Sequence, residues 1–166
     1  KDLIKYYFGY PEDIKVELFG NMQLDQFKSK NIADLNPPMF SKKLPYKKYI
    51  EKTATGLSSV IIADPLYKTS NMRTTRFFEC IRAGNIIFID KEYYSGTEFF
   101  FNGNKLLEDM CVVDNRNDIA DKIRYFKNNT KARNKFVEIQ RSAINFITED
   151  YYYKKLLSIL EEIYYA

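Results

Sequence analysis

Two short apolar runs constrain the fold more than anything else in the chain: LSSVIIA over residues 57–63 and NIIFI over residues 85–89. Neither alternates polar and apolar residues, as a half-exposed strand would, so each reads as a strand buried on both faces. Between them lie a polar loop and then a helical pattern carrying Arg73, Arg76 and Glu79, stopped by Gly84. Buried strands joined by a helix make neighbouring parallel strands with a right-handed crossover. In such a sheet, ligands sit where a strand opens through a loop into a helix N-terminus, because free N–H groups and the helix dipole meet there. The stretch 56–90 is therefore the first place to look for a binding site.

The flanking segments fit the same architecture. A helix is expected over residues 2–8, stopped by Gly9 and Pro11, and a strand over 14–19 that ends at Gly20. A glycine there either lets a ligand approach the backbone or simply turns the chain. Residues 22–36 are polar and weakly patterned, and an extended piece follows at 39–41. Pro45 suits the first turn of a helix to about residue 54, with Tyr46, Tyr49 and Ile50 on one face. Residues 91–109 read as a looser connection, 110–113 as a short buried strand, and helices are expected from Asn117 or Asp118 to about 127, over 131–146 and over 151–165. The sum is one α/β domain over 1–166, a Rossmann-like parallel sheet with helices on both faces. No G-x-G-x-x-G run is present, so nothing points to a dinucleotide redox cofactor.

Composition removes several chemistries. The chain has no histidine, which excludes imidazole bases and histidine metal ligands. Cys80 and Cys111 lack metal-ligand spacing and read as buried free thiols. With no apolar run of membrane length and no leader pattern, a soluble, cytoplasmic protein without a membrane partner is expected. The net charge of +4 suits a phosphate-handling domain and is also ordinary.

Arg76 and Glu79, three apart, are neighbours on one helix face, with Phe77, Phe78 and Ile81 turned inward. At a helix start, a guanidinium can clamp a diphosphate while a carboxylate accepts two hydrogen bonds from ribose hydroxyls. On spacing alone, a surface ion pair between the two is the default. Asp64 ends the preceding strand and Tyr67 follows in its loop. They can hold a sugar hydroxyl and a phosphate oxygen, or equally be a turn and a packing residue. Lys42, Lys43, Lys47 and Lys48, interleaved with Tyr46 and Tyr49, can follow a nucleic-acid backbone or form a solvated helix face. A non-catalytic nucleotide- or DNA-binding module on this fold is thus the alternative to an enzyme.

Four segments taken in order carry a family resemblance: LFGN at 18–21, PMFSKKLP at 38–45, SSVIIADPLYKTSNMRTTRFFECIRAGNIIFIDKEYY at 58–94 and CVVDNRNDIADKI at 111–123. Together they resemble the carboxyl-terminal half of the phage DNA beta-glucosyltransferases. Those enzymes transfer glucose from UDP-glucose to 5-hydroxymethylcytosine in duplex DNA with two Rossmann-like domains in the GT-B arrangement. The resemblance implies that Arg76 binds the pyrophosphate, Glu79 the ribose hydroxyls and Tyr67 a phosphate, with Asp64 at the same strand end. It places Leu44 where main-chain groups recognise uracil, and Gly20 beside the donor. It further implies a divalent cation, Mg2+ or Mn2+, as an aid to departure of UDP, though no carboxylate cage for one is evident. The family's first strand of this domain and its amino-terminal Rossmann-like half, with the catalytic aspartate and much of the acceptor surface, have no counterpart in the 166 residues. The expectation is a UDP-sugar-binding domain that alone binds its donor weakly or not at all and does not catalyse, working in an infected host's cytoplasm if viral.

Overall fold

The computed structural model describes residues 3–20, 35–63, 65–70, 72–145 and 157. The elements are α1 (Leu3–Tyr7), β1 (Glu17–Phe19), β2 (Met39–Ser41), α2 (Tyr46–Thr55), β3 (Ser58–Ile61), α3 (Pro65–Thr69), α4 (Thr75–Arg82), β4 (Ile86–Asp90), α5 (Thr97–Phe101), α6 (Lys105–Cys111), β5 (Val112–Val113), α7 (Arg116–Asn128) and α8 (Thr130–Ile144). Every strand pair is parallel, in the orders β1-β2 and β3-β4-β5. The expected α/β class and the parallel pairing of the two apolar runs are what the structure has. Asp64 and the helix read over 151–165, Leu157 apart, lie outside the described residues.

Several expectations need correction. The strand expected over 14–19 is confined to Glu17–Phe19, and β3, expected to be buried on both faces, is half-buried over Ser58–Val60. The polar loop after β3 contains α3, so Tyr67 lies on a short helix rather than in a loop. α4 begins at Thr75, which leaves Arg73 in the segment before it. The connection over 91–109 holds α5 and α6, and α6 runs on through Met110 and Cys111, which shortens the strand expected at 110–113 to Val112–Val113. The cap of α7 is Asn115, whose side chain accepts from the backbone N–H groups of Asn117 and Asp118.

All five residues of β4 are buried, with β3 on one side along Ile86–Ile89 and β5 on the other only at Ile89 and Asp90. Phe77, Phe88, Phe100, Phe101 and Phe126 are fully buried around it. α4 turns Phe77, Cys80 and Ile81 into this core and leaves Arg76 and Glu79 on its outer side. The helix stops at Gly84, whose φ of +89° only glycine adopts freely. Arg141 of α8 donates to the last carbonyls of α4, those of Ile81 and Arg82, at 3.4 and 3.1 Å.

Buried polar side chains tie the layers together. Asn85 donates to the carbonyls of Thr53 and Gly56 and accepts from Ser59 Oγ, fastening the end of α2 to the starts of β3 and β4. Tyr6 of α1 donates to the Asp90 carboxylate at 2.5 Å and to the carbonyl of Asp114 at 3.2 Å. Asp90 also accepts from the N–H of Glu92, so this strand-end carboxylate is engaged structurally. Tyr6→Phe removes the hydroxyl and leaves the Asp90 Oδ1 with the Glu92 N–H as its remaining donor among the described residues. The expected loss is about 1 to 2 kcal/mol of unfolding free energy in urea titration, and an unchanged midpoint would show the bond to be idle.

Candidate functional site

The carboxyl ends of the strands and the start of α4 assemble the site. β1 ends at Gly20, whose N–H donates to the carbonyl of Ser41 at 3.1 Å. Its φ is +148°, and a side chain there would meet nothing within 4 Å among the described residues. Leu44 is half-buried just before α2. One turn on, the N–H of Tyr49 donates to the carbonyl of Pro45. The Tyr49 ring meets Phe19 edge-on at 6.5 Å, which links α2 to the end of β1.

Arg76 completes this group. Its guanidinium carbon lies 4.6 Å from the centre of the Tyr49 ring, a cation–π contact. The ion pair that spacing makes the default is not what forms: among the described residues no carboxylate lies within ion-pair distance of Arg76. Glu79 is half-buried on the same helix, likewise without an ion-pair partner among the described residues. An exposed cation held against a ring and not neutralised by a carboxylate suits an anionic ligand. Burial pushes the Tyr49 hydroxyl above the ordinary phenol range, against the pull of neighbouring Arg76. Its hydroxyl sits 3.9 Å from Cys80 Sγ, and burial raises that thiol as well.

The approach to α4 is fixed by Tyr93, whose hydroxyl donates to the carbonyl of Met72 at 3.1 Å and accepts from the N–H of Thr74 at 3.0 Å. Arg73, between them, stacks on Phe99 at 3.9 Å. Thr74 precedes the helix but makes no side-chain cap bond, so its hydroxyl does not occupy the first-turn N–H groups of α4. Tyr67 is 38% exposed on α3, and its carbonyl accepts from the N–H of Met72. The structure thus links the Gly20 strand end to Arg76 through Phe19 and Tyr49, places Leu44 two residues before α2 and Glu79 on the same helix as Arg76, and sets Tyr67 on the short helix α3.

The lysine-rich face also resolves. Lys42, Lys43, Lys47 and Lys48 are exposed, as is Tyr46, but Tyr49 is half-buried and its ring is covered by Arg76. Only one of the two interleaved tyrosines is therefore open to a base. Among the described residues no three acidic or cysteine side chains converge as a metal site, and no helix is long and apolar enough to cross a membrane.

A glycosyl transferase-like family model matches residues 11–162. The chain is 26% identical over 139 residues to the DNA beta-glucosyltransferase of Enterobacteria phage T4, a match covering 83% of this chain and 37% of that protein. Solved structures of the T4 phage enzyme share the fold. One, described by its substrate binding and proposed catalytic mechanism, gives a TM-score of 0.76 at 21% identity and covers 96% of this chain and 45% of that one. Another, in complex with UDP-glucose, gives 0.73 at 23% identity over 87% of this chain and 40% of that one. A third, with UDP and Mn2+, gives 0.71 at 20% identity over 96% and 42%. The chain spans less than half the length of these relatives.

Proposed function

Because the chain belongs to the glycosyl transferase-like family, we propose that it is the donor-binding half of a UDP-glucose-dependent DNA glucosyltransferase acting on 5-hydroxymethylcytosine or a related hydroxymethylated base. One observation carries this reading. Arg76 stands at the first turn of α4, propped on an aromatic ring and paired with no carboxylate among the described residues. That is the arrangement a diphosphate needs: a forked cation at a helix start whose cap side chain makes no hydrogen bond, the N–H of Phe77 alone in the first turn donating to the Thr74 carbonyl among the described residues.

In this reading the donor lies across the strand ends. Arg76, Tyr67 and the first-turn N–H groups of α4 take the diphosphate, Glu79 accepts from the ribose hydroxyls, main-chain groups at Leu44 read the uracil, and the bare backbone at Gly20 lets the donor sit close. The acceptor hydroxyl displaces UDP directly at the anomeric carbon, deprotonated by a carboxylate from the amino-terminal half. Charge gathers on the leaving diphosphate, where a fixed guanidinium stabilises the transition state more than the ground state. Among the described residues no three acidic or cysteine side chains converge to hold a divalent cation; one bound with the donor would add charge stabilisation at the leaving diphosphate.

The reading includes a missing strand. Leu57 accepts from Ile86 N–H, so by alternation the backbone groups of Ser58 and Val60 point away from β4. The bond from Met39 N–H to the carbonyl of Val16 likewise turns Glu17 and Phe19 away from β2. Tyr7 stands between the sheets, with its hydroxyl on the carbonyl of Val60 and its side chain beside Val16 and Met39 in a 410 Å³ cleft. A further strand placed between β1 and β3 would join the two sheets into one and satisfy both rows. The catalytic carboxylate and the duplex-DNA surface belong to a separate amino-terminal Rossmann-like domain.

The ribose contact gives the test. Glu79→Ala is expected to weaken UDP binding by about 1 to 2 kcal/mol and to erase the preference for UDP over 2′-deoxy-UDP, as loss of a charge-assisted hydrogen bond should. Both affinities are measurable by calorimetry or NMR titration. If the variant still discriminates between the two nucleotides, the ribose role is wrong. Salt-sensitive binding of duplex DNA with no response to UDP would favour the binding-module alternative.

A further inference from the structure

We propose that Tyr49 is a positioning residue for donor binding: its ring is the shelf that holds the Arg76 guanidinium in line with the diphosphate. The inference rests on the donor-site reading above and deepens it, giving the ring on which Arg76 rests a role in binding that can be measured.

Four observations converge on it. The guanidinium carbon of Arg76 is 4.6 Å from the Tyr49 ring centre, within the range of a cation–π contact. The ring itself is not free to swing. Phe19 meets it edge-on at 6.5 Å, and its hydroxyl lies 3.9 Å from the buried Cys80 Sγ on the same helix as Arg76. The backbone beneath it is fixed as well, because Tyr49 N–H donates to the carbonyl of Pro45 and Thr53 Oγ1 donates to the carbonyl of Tyr49. Finally, among the described residues no carboxylate competes with the ring for Arg76.

The physical consequence is preorganisation. An arginine side chain free in solvent loses rotamer entropy when it grips a ligand, and that loss subtracts from affinity. A π-face under the guanidinium takes part of the loss at folding and leaves the N–H edge pointing outward to bind oxygens in the plane of the fork. Tyr49 also packs on Phe19, the residue before Gly20, so one ring couples the diphosphate-binding arginine to the strand end where the donor lies close. The contribution belongs to the aromatic face and not to the hydroxyl.

Two variants and a double mutant test this in the chain as it stands. Tyr49→Phe keeps the face and should bind UDP within about twofold of the parent, whereas Tyr49→Leu should weaken UDP by roughly three- to tenfold, the worth of a partly exposed cation–π contact. In the Arg76→Ala background, Tyr49→Leu should have no further effect on UDP affinity, because the group it positions is gone. A purely structural role would give the same loss in both backgrounds and would overturn the inference. Ring-current shifts of the Arg76 side-chain NMR signals, read without ligand, provide a separate arm: they should collapse in Tyr49→Leu and persist in Tyr49→Phe. Signals that do not move place the guanidinium elsewhere and overturn the inference whatever UDP does. The proposal commits to weak but measurable UDP binding by this chain alone, so signals that move as expected in a parent protein that ignores UDP at tens of millimolar would overturn the donor-site reading, and the positioning role with it.

Discussion

Arg76→Ala is expected to weaken UDP binding by about 2 to 3 kcal/mol, roughly 30- to 150-fold, with little change in thermal stability. The two halves of that expectation have separate causes. The guanidinium is exposed on the outer side of α4 and makes no ion pair among the described residues, so folding relies on it little. A diphosphate, by contrast, would lose a forked, charge-assisted donor set that helix N–H groups alone do not replace. Arg76→Lys separates charge from geometry: it keeps the cation and loses the fork, so its affinity should fall between the parent and the alanine variant. Calorimetry with UDP reads all three, and equal affinities would remove Arg76 from the site.

Gln140→Leu should destabilise the fold by about 2 to 5 kcal/mol without bearing directly on the site, since each backbone group left unsatisfied in the core costs about 1 to 3 kcal/mol. Gln140 is completely buried on α8. Its Oε1 accepts from Ile87 N–H at 3.1 Å and its Nε2 donates to the carbonyl of Asn85 at 3.0 Å. β5 pairs with β4 only at Ile89 and Asp90, so the first half of β4 has no strand on that side. One amide side chain takes the place of the missing ladder there. Leucine has a similar volume, so the loss would report hydrogen bonding rather than a cavity. Urea unfolding monitored by circular dichroism measures it, and a midpoint within error of the parent would show that the amide is not needed. UDP affinity, measured below the unfolding transition, should stay close to that of the parent, which distinguishes this variant from Arg76→Ala.

The two predictions mark how much of the protein could be read from residue order. The runs at 57–63 and 85–89 specify neighbouring parallel strands because their apolar character is continuous, though only β4 is buried throughout and β3 is half-buried over Ser58–Val60, and the positions of Phe77, Cys80 and Ile81 give the inward face of α4 by period alone. α3, α5 and α6 are hard to read because each is only five to seven residues long, and unlike α1, which Gly9 and Pro11 close off, they lie within longer polar or aromatic connections. The split of the strands into two sheets was equally hidden, since pairing depends on partners far apart in the chain.

The site divides in the same way. Sequence by itself determined the α/β class, the strand–helix unit that carries Arg76 and Glu79, and the exclusion of histidine chemistry, because these follow from local pattern and composition. Only the tertiary structure decided that Arg76 rests on Tyr49 instead of pairing with Glu79. It likewise decided that Asp90 is taken by Tyr6 and that Gln140 stands in for a strand. Spacing states which side chains can meet on one helix. Which contact a long, flexible guanidinium takes depends on the free energy of all its neighbours, and the ring that Arg76 covers comes from another element of the fold.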